Sequence, residues 1–292
     1  MTLSKQLKEL ISTSKLDSAA LESLIRAAIS EDLAGASDVT SVATIPDEQS
    51  AVAEFRSRKP GVIAGIPVVC AVLEICGVTD YEVKKNDGEI VSTNSLLLIA
   101  KGNTRALLLA ERTALNFLGR LSGIATLTKS WVDEVADTKV AIRDTRKTTP
   151  GLRDLEKYAV RMGGGINHRF SLSDAALIKD NHVLAAGGVA QAFKLVKTKF
   201  PSLPLEVEVD SLEQLREVVE AGADLVLLDN MSIEECRKAV EIVSGRAKLE
   251  ASGGLILSNA QAYAKTGVDY LAVGALTHSA PVLDIGLDLR ME

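Results

Sequence analysis

The chain has 292 residues, 47% hydrophobic and 25% charged, the balance of a globular protein long enough to bury a sizeable core in one large domain or two smaller ones. A formal net charge of -6 gives a surface that repels nucleic acid, so any basic site must be local. Cys70, Cys76 and Cys236 are odd in number and form no CxxC pair, which speaks against a disulfide framework or zinc ribbon and for core cysteines in a reducing, cytoplasmic setting.

The opening "MTLSKQLKELIS" carries a helical pattern in place of a basic stretch and an unbroken apolar run, so no secretory signal is expected. Over 17–30, Leu21, Leu24, Ile25, Ala28 and Ile29 recur at helical spacing behind Asp17, a candidate N-cap. Short strands are expected at 51–57, 80–85 and 96–100, with a turn at Asn86-Asp87-Gly88. The apolar run 61–78 is interrupted by Gly61, Gly65, Pro67 and Glu74, so it reads as a turn and a short buried helix, with no membrane span. From Thr104 to about Asp137 a long helix is expected, broken or bent near Gly119 to Gly123.

The pattern then changes to short apolar strands: "KVAIRD", "AALIKD", "LEVEVD", "DLVLLD", "KLEAS" and "YLAVGA". The last four recur at the spacing of one strand plus one helix, the mark of a parallel βα repeat. A barrel is the favoured closure; an open doubly wound sheet lacks its GxGxxG fingerprint here.

Polar residues collect at the strands' carboxyl ends, where α/β barrels build their sites. They are Asp144, Arg146 and Lys147, then Lys179, Asp180 and Asn181, then Glu208 and Asp210. Asp229 and Asn230 follow, then Ser252, Gly253 and Gly254, and last Gly274 with His278. Alternation along "LEVEVD" puts Glu206, Glu208 and Asp210 on one face, toward the barrel interior, with Val207 and Val209 facing the helices. A carboxylate there needs a cation: Lys179, Lys147, a metal, or a substrate that becomes positive, with a purely structural Lys179 ion pair the plain alternative. Arg146 and Lys147 are placed to grip an anion, whereas Arg153 and Arg161 read as solvated helix-face charges. The glycine turns at 252–254 and 273–276 suit a phosphate; "GGG" at 163–165 is as readily a plain turn.

The stretch "RDTRKTTPGLRDLEKYAVRMGGGINHRFSLSDAALIKDNH", residues 143–182, closely resembles the quinolinate phosphoribosyltransferase family. The likeness continues through "EVEVD", "LLDN", "LEASGG" and "VGALTHS", and backward through "ERTALNFLGRLSGIAT" and "EDLAGASDVT", covering nearly the whole chain. Ser37 departs from the glycine expected before Asp38. The resemblance implies an N-terminal α/β sandwich, residues 1–114, rejoined by a C-terminal tail, 279–292, and an incomplete, seven-stranded parallel α/β barrel, 115–278. It implies conversion of quinolinate and phosphoribosyl pyrophosphate, with magnesium (Mg2+), to nicotinate mononucleotide, pyrophosphate and carbon dioxide in NAD biosynthesis, by a homodimer or larger homo-oligomer with shared sites.

Carried over by position, Arg146, His168, Arg169 and Lys179 resemble the quinolinate grip, joined by Arg112 from a neighbouring subunit. Lys147 would meet phosphoribosyl pyrophosphate. Glu208 and Asp229 resemble the acids that hold the ribose and magnesium, directly or through water or substrate. Glu208, Asp229, Lys147 and Lys179 form the expected catalytic set, and Ser252, Gly253, Gly274 and His278 resemble the 5′-phosphate cradle. Glu206 and Asp210 are expected to pair structurally. Competing readings are a nicotinate phosphoribosyltransferase without decarboxylation, a Schiff-base lyase using Lys179, and a non-catalytic binder of phosphate ligands.

Overall fold

The computed structural model of the chain describes residues 2–291. The chain divides into two compact units: Met1–Leu127 with Asp154–Gly164 and Ala280–Glu292, and Thr128–Arg153 with Gly165–Ser279.

In the first unit, α1 (Lys5–Thr13), α2 (Ser18–Leu33) and α3 (Val39–Thr44) each start at a side-chain cap. Ser4 accepts from Leu7 N–H, Asp17 from Ala19 and Ala20, and Asp38 from Thr40 and Ser41, satisfying amides that helix starts leave unpaired. The strands are β1 (Ser50–Ser57), β2 (Gly61–Val62), β3 (Asp80–Val83), β4 (Ile90–Val91) and β5 (Leu96–Asn103). β12 (Ile285–Met291), the chain's last strand, returns to pair antiparallel with β1, giving the order β12-β1-β5-β3. The apolar run expected to be a turn and a buried helix is α4 (Ile66–Cys76), buried from Ile66 to Glu74. Glu74 is tolerated there because it accepts from Ser4 N, Ser4 Oγ and Tyr81 Oη. Asp87 of the expected turn accepts from the N–H groups of Gly65 and Ile66, at the start of α4, and from Tyr158 Oη.

The expected break at Gly119 to Gly123 is absent: α5 (Thr104–Glu134) is helical throughout. These glycines admit the returning tail. A Cβ on Gly123 would lie 2.0 Å from Pro281 O, and one on Gly119 2.8 Å from Val282 Cγ1. Leu283 N–H donates to Gly119 O across this contact. The 114/115 boundary expected from sequence lies inside α5.

Arg153 and Arg161, expected to be solvated, are both engaged. They bracket α6 (Arg153–Met162). Arg161 donates to Ser14 O and covers the Tyr158 ring, while Arg153 donates to Thr148 Oγ1 and Phe170 O. Each guanidinium donates to a backbone oxygen that lies outside the strands and helices.

The second unit is a parallel sheet of β6 (Ala141–Arg143), β7 (Ala176–Ile178), β8 (Leu205–Val209), β9 (Leu225–Asp229), β10 (Lys248–Ser252) and β11 (Tyr270–Ala272). Their order among the described residues is β6-β11-β10-β9-β8-β7. The helices between and after them are α7 (Asp180–Ala186), α8 (Val189–Lys199), α9 (Leu212–Glu220), α10 (Ile233–Val243), α11 (Leu257–Ala264) and α12 (Ala275–His278). The sheet is curled: Arg143 on β6 and Glu206 on β8 come within 3.9 Å, although four strand spacings of a flat sheet would hold them about 19 Å apart. The seventh strand expected of the barrel is reduced to one parallel bridge, Arg143 with Ile166, on the free side of β6. Gly164, in the left-handed region, precedes that pair, and the turn held by Asp144 follows it, so pairing lasts a single residue.

Candidate active site

Parallel register lines up the strand ends. Ser252 of β10 pairs in register with Asp229 of β9 and Ala272 of β11, so Asp229, Ser252 and the Gly274 turn stand side by side. On β8, burial follows the alternation read from sequence: Val207 and Val209 are sealed within the packing, Glu206 is buried, Glu208 is half-buried and Asp210 is exposed. Lys179, one residue beyond β7, forms an ion pair with Glu208.

Arg146 and Arg169 approach one another from the turns after β6 and after Ile166. Burial and the neighbouring Arg146 charge hold Arg169 below the usual guanidinium range. Two like charges in partial burial raise each other's energy, so the pair is held by its surroundings and favours an anion between them. The Nε atoms of both are buried without a hydrogen-bond partner among the described residues. Arg169 also donates to Ala175 O.

Lys147, Gly274 and His278 meet. A Cβ on Gly274 would lie 3.2 Å from Lys147 Cδ and from the His278 ring, so the glycine leaves room for both, and Thr277 Oγ1 donates to Lys147 O. Gly253 and Gly254 have φ of +88° and +63°, where L side chains are strained. A Cβ on Gly253 would collide with Asn230 Oδ1 at 2.2 Å, whereas Gly254 faces open space. Asp229 accepts from Asn230 Nδ2. Arg112 is exposed on α5, in the first unit.

Beneath the arginine pair lies a buried floor that the sequence reading missed in part. His168 Nε2 is 2.6 Å from Glu206 Oε2 and 3.6 Å from Glu250 Oε1, while Arg143 forms an ion pair with Glu250. Asp144, fully buried, accepts from His168 N–H at 2.8 Å and from Asn167 Nδ2. Desolvation, then the Glu206 charge, push Glu250 up to about 8. The signal for Glu250 was available: it stands two residues before Ser252 in "KLEAS", on the same face of the strand.

Chemically, these side chains sort two signs: guanidinium and ammonium groups beside half-buried carboxylates, with glycine turns at adjacent strand ends. The profile of the quinolinate phosphoribosyl transferase N-terminal domain matches residues 38–122, and that of its C-terminal domain residues 124–288. A nicotinate-nucleotide pyrophosphorylase [carboxylating] of Mycobacterium leprae (strain TN) is 53% identical over 91% of this chain and 95% of its own. A probable nicotinate-nucleotide pyrophosphorylase [carboxylating] of Bacillus subtilis (strain 168) is 41% identical over 93% of this chain and 94% of its own. The solved nicotinate-nucleotide pyrophosphorylase of Ehrlichia chaffeensis is 41% identical and superposes with a TM-score of 0.88 over 92% of this chain and 98% of that one. With both halves matched in order and close similarity across more than nine-tenths of its length, the chain belongs to the quinolinate phosphoribosyltransferase family.

Proposed function

We propose that this chain converts quinolinate and phosphoribosyl pyrophosphate to nicotinate mononucleotide, pyrophosphate and carbon dioxide, the carboxylating nicotinate-nucleotide pyrophosphorylase reaction of NAD biosynthesis. The observation that carries the reading is the Arg146–Arg169 pair, brought together despite like charge, with buried Nε groups that have no partner among the described residues. A pyridine dicarboxylate offers two anions to that pair, and guanidinium forks match carboxylates in geometry. Nicotinate, with one carboxylate, would leave more of the paired positive charge uncompensated, so the non-decarboxylating reading is the weaker.

Lys179 would add a third cation to the grip while its partner Glu208 faces the sugar. As pyrophosphate leaves, the ribose C1′ gains positive charge, and the half-buried Glu208 carboxylate stabilises it without reorganising. Lys147, beside Gly274 and His278, would counter phosphate charge, with Ser252 and Gly253 completing the cradle. The pyridine nitrogen attacks C1′ and becomes a cation. The C2–carboxylate bond then breaks, its electron pair stays at C2 under the ring's positive charge, and a proton takes the place of the departed carbon dioxide.

Glu208 and Asp229 fit magnesium: both are half-buried, oxygen-only donors near a strand end, and Mg2+ is held through one or two carboxylates plus waters and substrate phosphate oxygens. When bound, Mg2+ would offset charge on the departing pyrophosphate. A homodimer or larger homo-oligomer, with Arg112 entering the partner's site, belongs to the same proposal, as does a cytoplasmic setting, supported by three free cysteines. Among the described residues no helix is long and apolar enough to cross a membrane. The decisive assay incubates the protein with quinolinate, phosphoribosyl pyrophosphate and magnesium. Nicotinate mononucleotide and carbon dioxide in equal amounts are expected; turnover of nicotinate with no carbon dioxide released would refute the reading.

A further inference from the structure

His168 stands where a direct contact to substrate is expected, yet both its ring nitrogens are engaged inside the protein. Nδ1 accepts the Arg169 backbone N–H at 2.7 Å. A nitrogen that accepts carries no proton, so the ring hydrogen is on Nε2, which lies 2.6 Å from Glu206 Oε2. The ring is therefore a strut between a buried carboxylate and the backbone amide of the next residue. That amide belongs to Arg169, half of the anion-binding pair, and its hydrogen bond fixes the backbone at the point where the Arg169 side chain leaves the chain. Asp144 holds the other side of the same turn by accepting from His168 N–H, two residues before Arg146.

Glu206 costs energy where it is, with 4% of its surface exposed and Oε1 lacking a hydrogen bond among the described residues. The floor cannot be accounted for by packing alone, because an apolar residue at 206 would fill the space without that penalty. Nor does it call for a metal. His168, Glu206 and Glu250 offer ligand atoms within 4.8 Å of one another, but the cationic place beside the two acids is taken by Arg143, and Nε2 is spent on Glu206.

We propose that Glu206 is a positioning residue which, through His168, sets the direction in which Arg169 enters the site and so governs quinolinate affinity without touching quinolinate. The inference rests on the quinolinate reading for its kinetic test and on geometry alone for its spectroscopic one. Steady-state kinetics on Glu206→Met, which cannot accept from Nε2–H, should raise the KM for quinolinate at least tenfold and leave the KM for phosphoribosyl pyrophosphate within twofold. Glu206→Gln, whose amide oxygen can accept the same hydrogen, should recover most of the loss. Equal changes in both KM values, no change in either, or a Gln variant as impaired as Met would overturn the proposal.

If wild-type protein makes no nicotinate mononucleotide, it is the functional reading that fails. The strut is then judged by nitrogen NMR of the histidine rings in the wild-type protein, which also serves should Glu206→Met not fold. With three histidines in the chain, the signals can be assigned by replacing His182 and His278 in turn. A protonated Nε2 and a bare Nδ1 at His168 support the strut; a protonated Nδ1 overturns it.

Discussion

Replacing Gly123 by alanine separates two explanations of the glycines in α5, because they predict opposite signs. Were Gly123 present only to loosen the helix, alanine would stabilise by about 1 kcal/mol through helix propensity. The structure instead puts the new Cβ 2.0 Å from Pro281 O, 3.0 Å from Pro281 C and 3.1 Å from Leu283 N. These are backbone atoms, so no rotamer change relieves the overlap and the tail must move. Overpacking of this kind costs ~1–3 kcal/mol, and moving the tail endangers the Leu283 N–H to Gly119 O bond, worth ~1 kcal/mol. After the propensity gain, a net loss of roughly 1–3 kcal/mol remains, a fall of about 3 °C in Tm per kcal/mol for a unit of this size. Thermal melting gives the sign, and hydrogen exchange gives the place: β12 amides should exchange faster, ahead of those in β9. Gly119→Ala should be partly rescued by Val282→Ala, since one of its clashes is with a side chain, whereas that second change should leave Gly123→Ala unimproved. A rise in Tm for Gly123→Ala would refute the close-approach argument.

Glu208→Ala should lower kcat about a hundredfold, the effect of removing a preorganised electrostatic group worth on the order of 3 kcal/mol, and unchanged kcat in folded protein would take Glu208 out of the chemistry. Gly253→Ala, strained by its +88° φ and by the 2.2 Å approach to Asn230 Oδ1, should raise the KM for phosphoribosyl pyrophosphate at least tenfold with little effect on that for quinolinate; the reverse pattern would misplace the phosphate cradle. Glu250 is raised to about 8 in the folded protein from an ordinary 4.5, so its neutral form is favoured by folding, and that stability is full below pH 4.5 and lost as pH climbs through 8. Glu250→Gln, neutral throughout, should therefore gain on the wild type in melting experiments as pH rises from 5 to 9; a wild type that gains instead would mean that the Arg143 ion pair outweighs burial. Mixing inactive Arg112→Ala and Lys179→Ala chains should restore activity in hybrid oligomers, and no recovery after demonstrated subunit exchange would argue for a site built within one chain.

Much of the architecture was legible because its rules are local. Five of the six parallel strands were marked by a run ending in a polar residue and the sixth by a glycine turn, and Asp17 announced α2 by its place before an amphipathic stretch. Strand parity and the need of an inward-facing acid for a cation named Lys179 as one of four candidate partners for Glu208, and the structure pairs the two. What stayed hidden depended on partners distant in the chain. Gly119 and Gly123 looked like helix breakers because nothing near them in sequence reveals a tail about 160 residues later. Arg161 passed for a surface charge because its acceptor, Ser14 O, lies on a loop at the other end of the unit's sequence. The seventh strand was expected from the resemblance, and its reduction to the Ile166 bridge reflects a hydrogen bond to Asp144 that no propensity encodes. His168 was named with the arginines from the resemblance, and its ring contacts with Glu206 and the Arg169 amide required coordinates.

The return of β12 to the edge of β1 has a consequence for synthesis. On the ribosome, β1 emerges with one edge open and keeps it open while every strand of the parallel sheet is translated, since its partner follows them all. Backbone groups along that edge remain available to other chains until the last strand arrives. A translational stall between Ser279 and Ile285 should therefore release nascent chains that stick to one another through β1, although their parallel sheet is already complete.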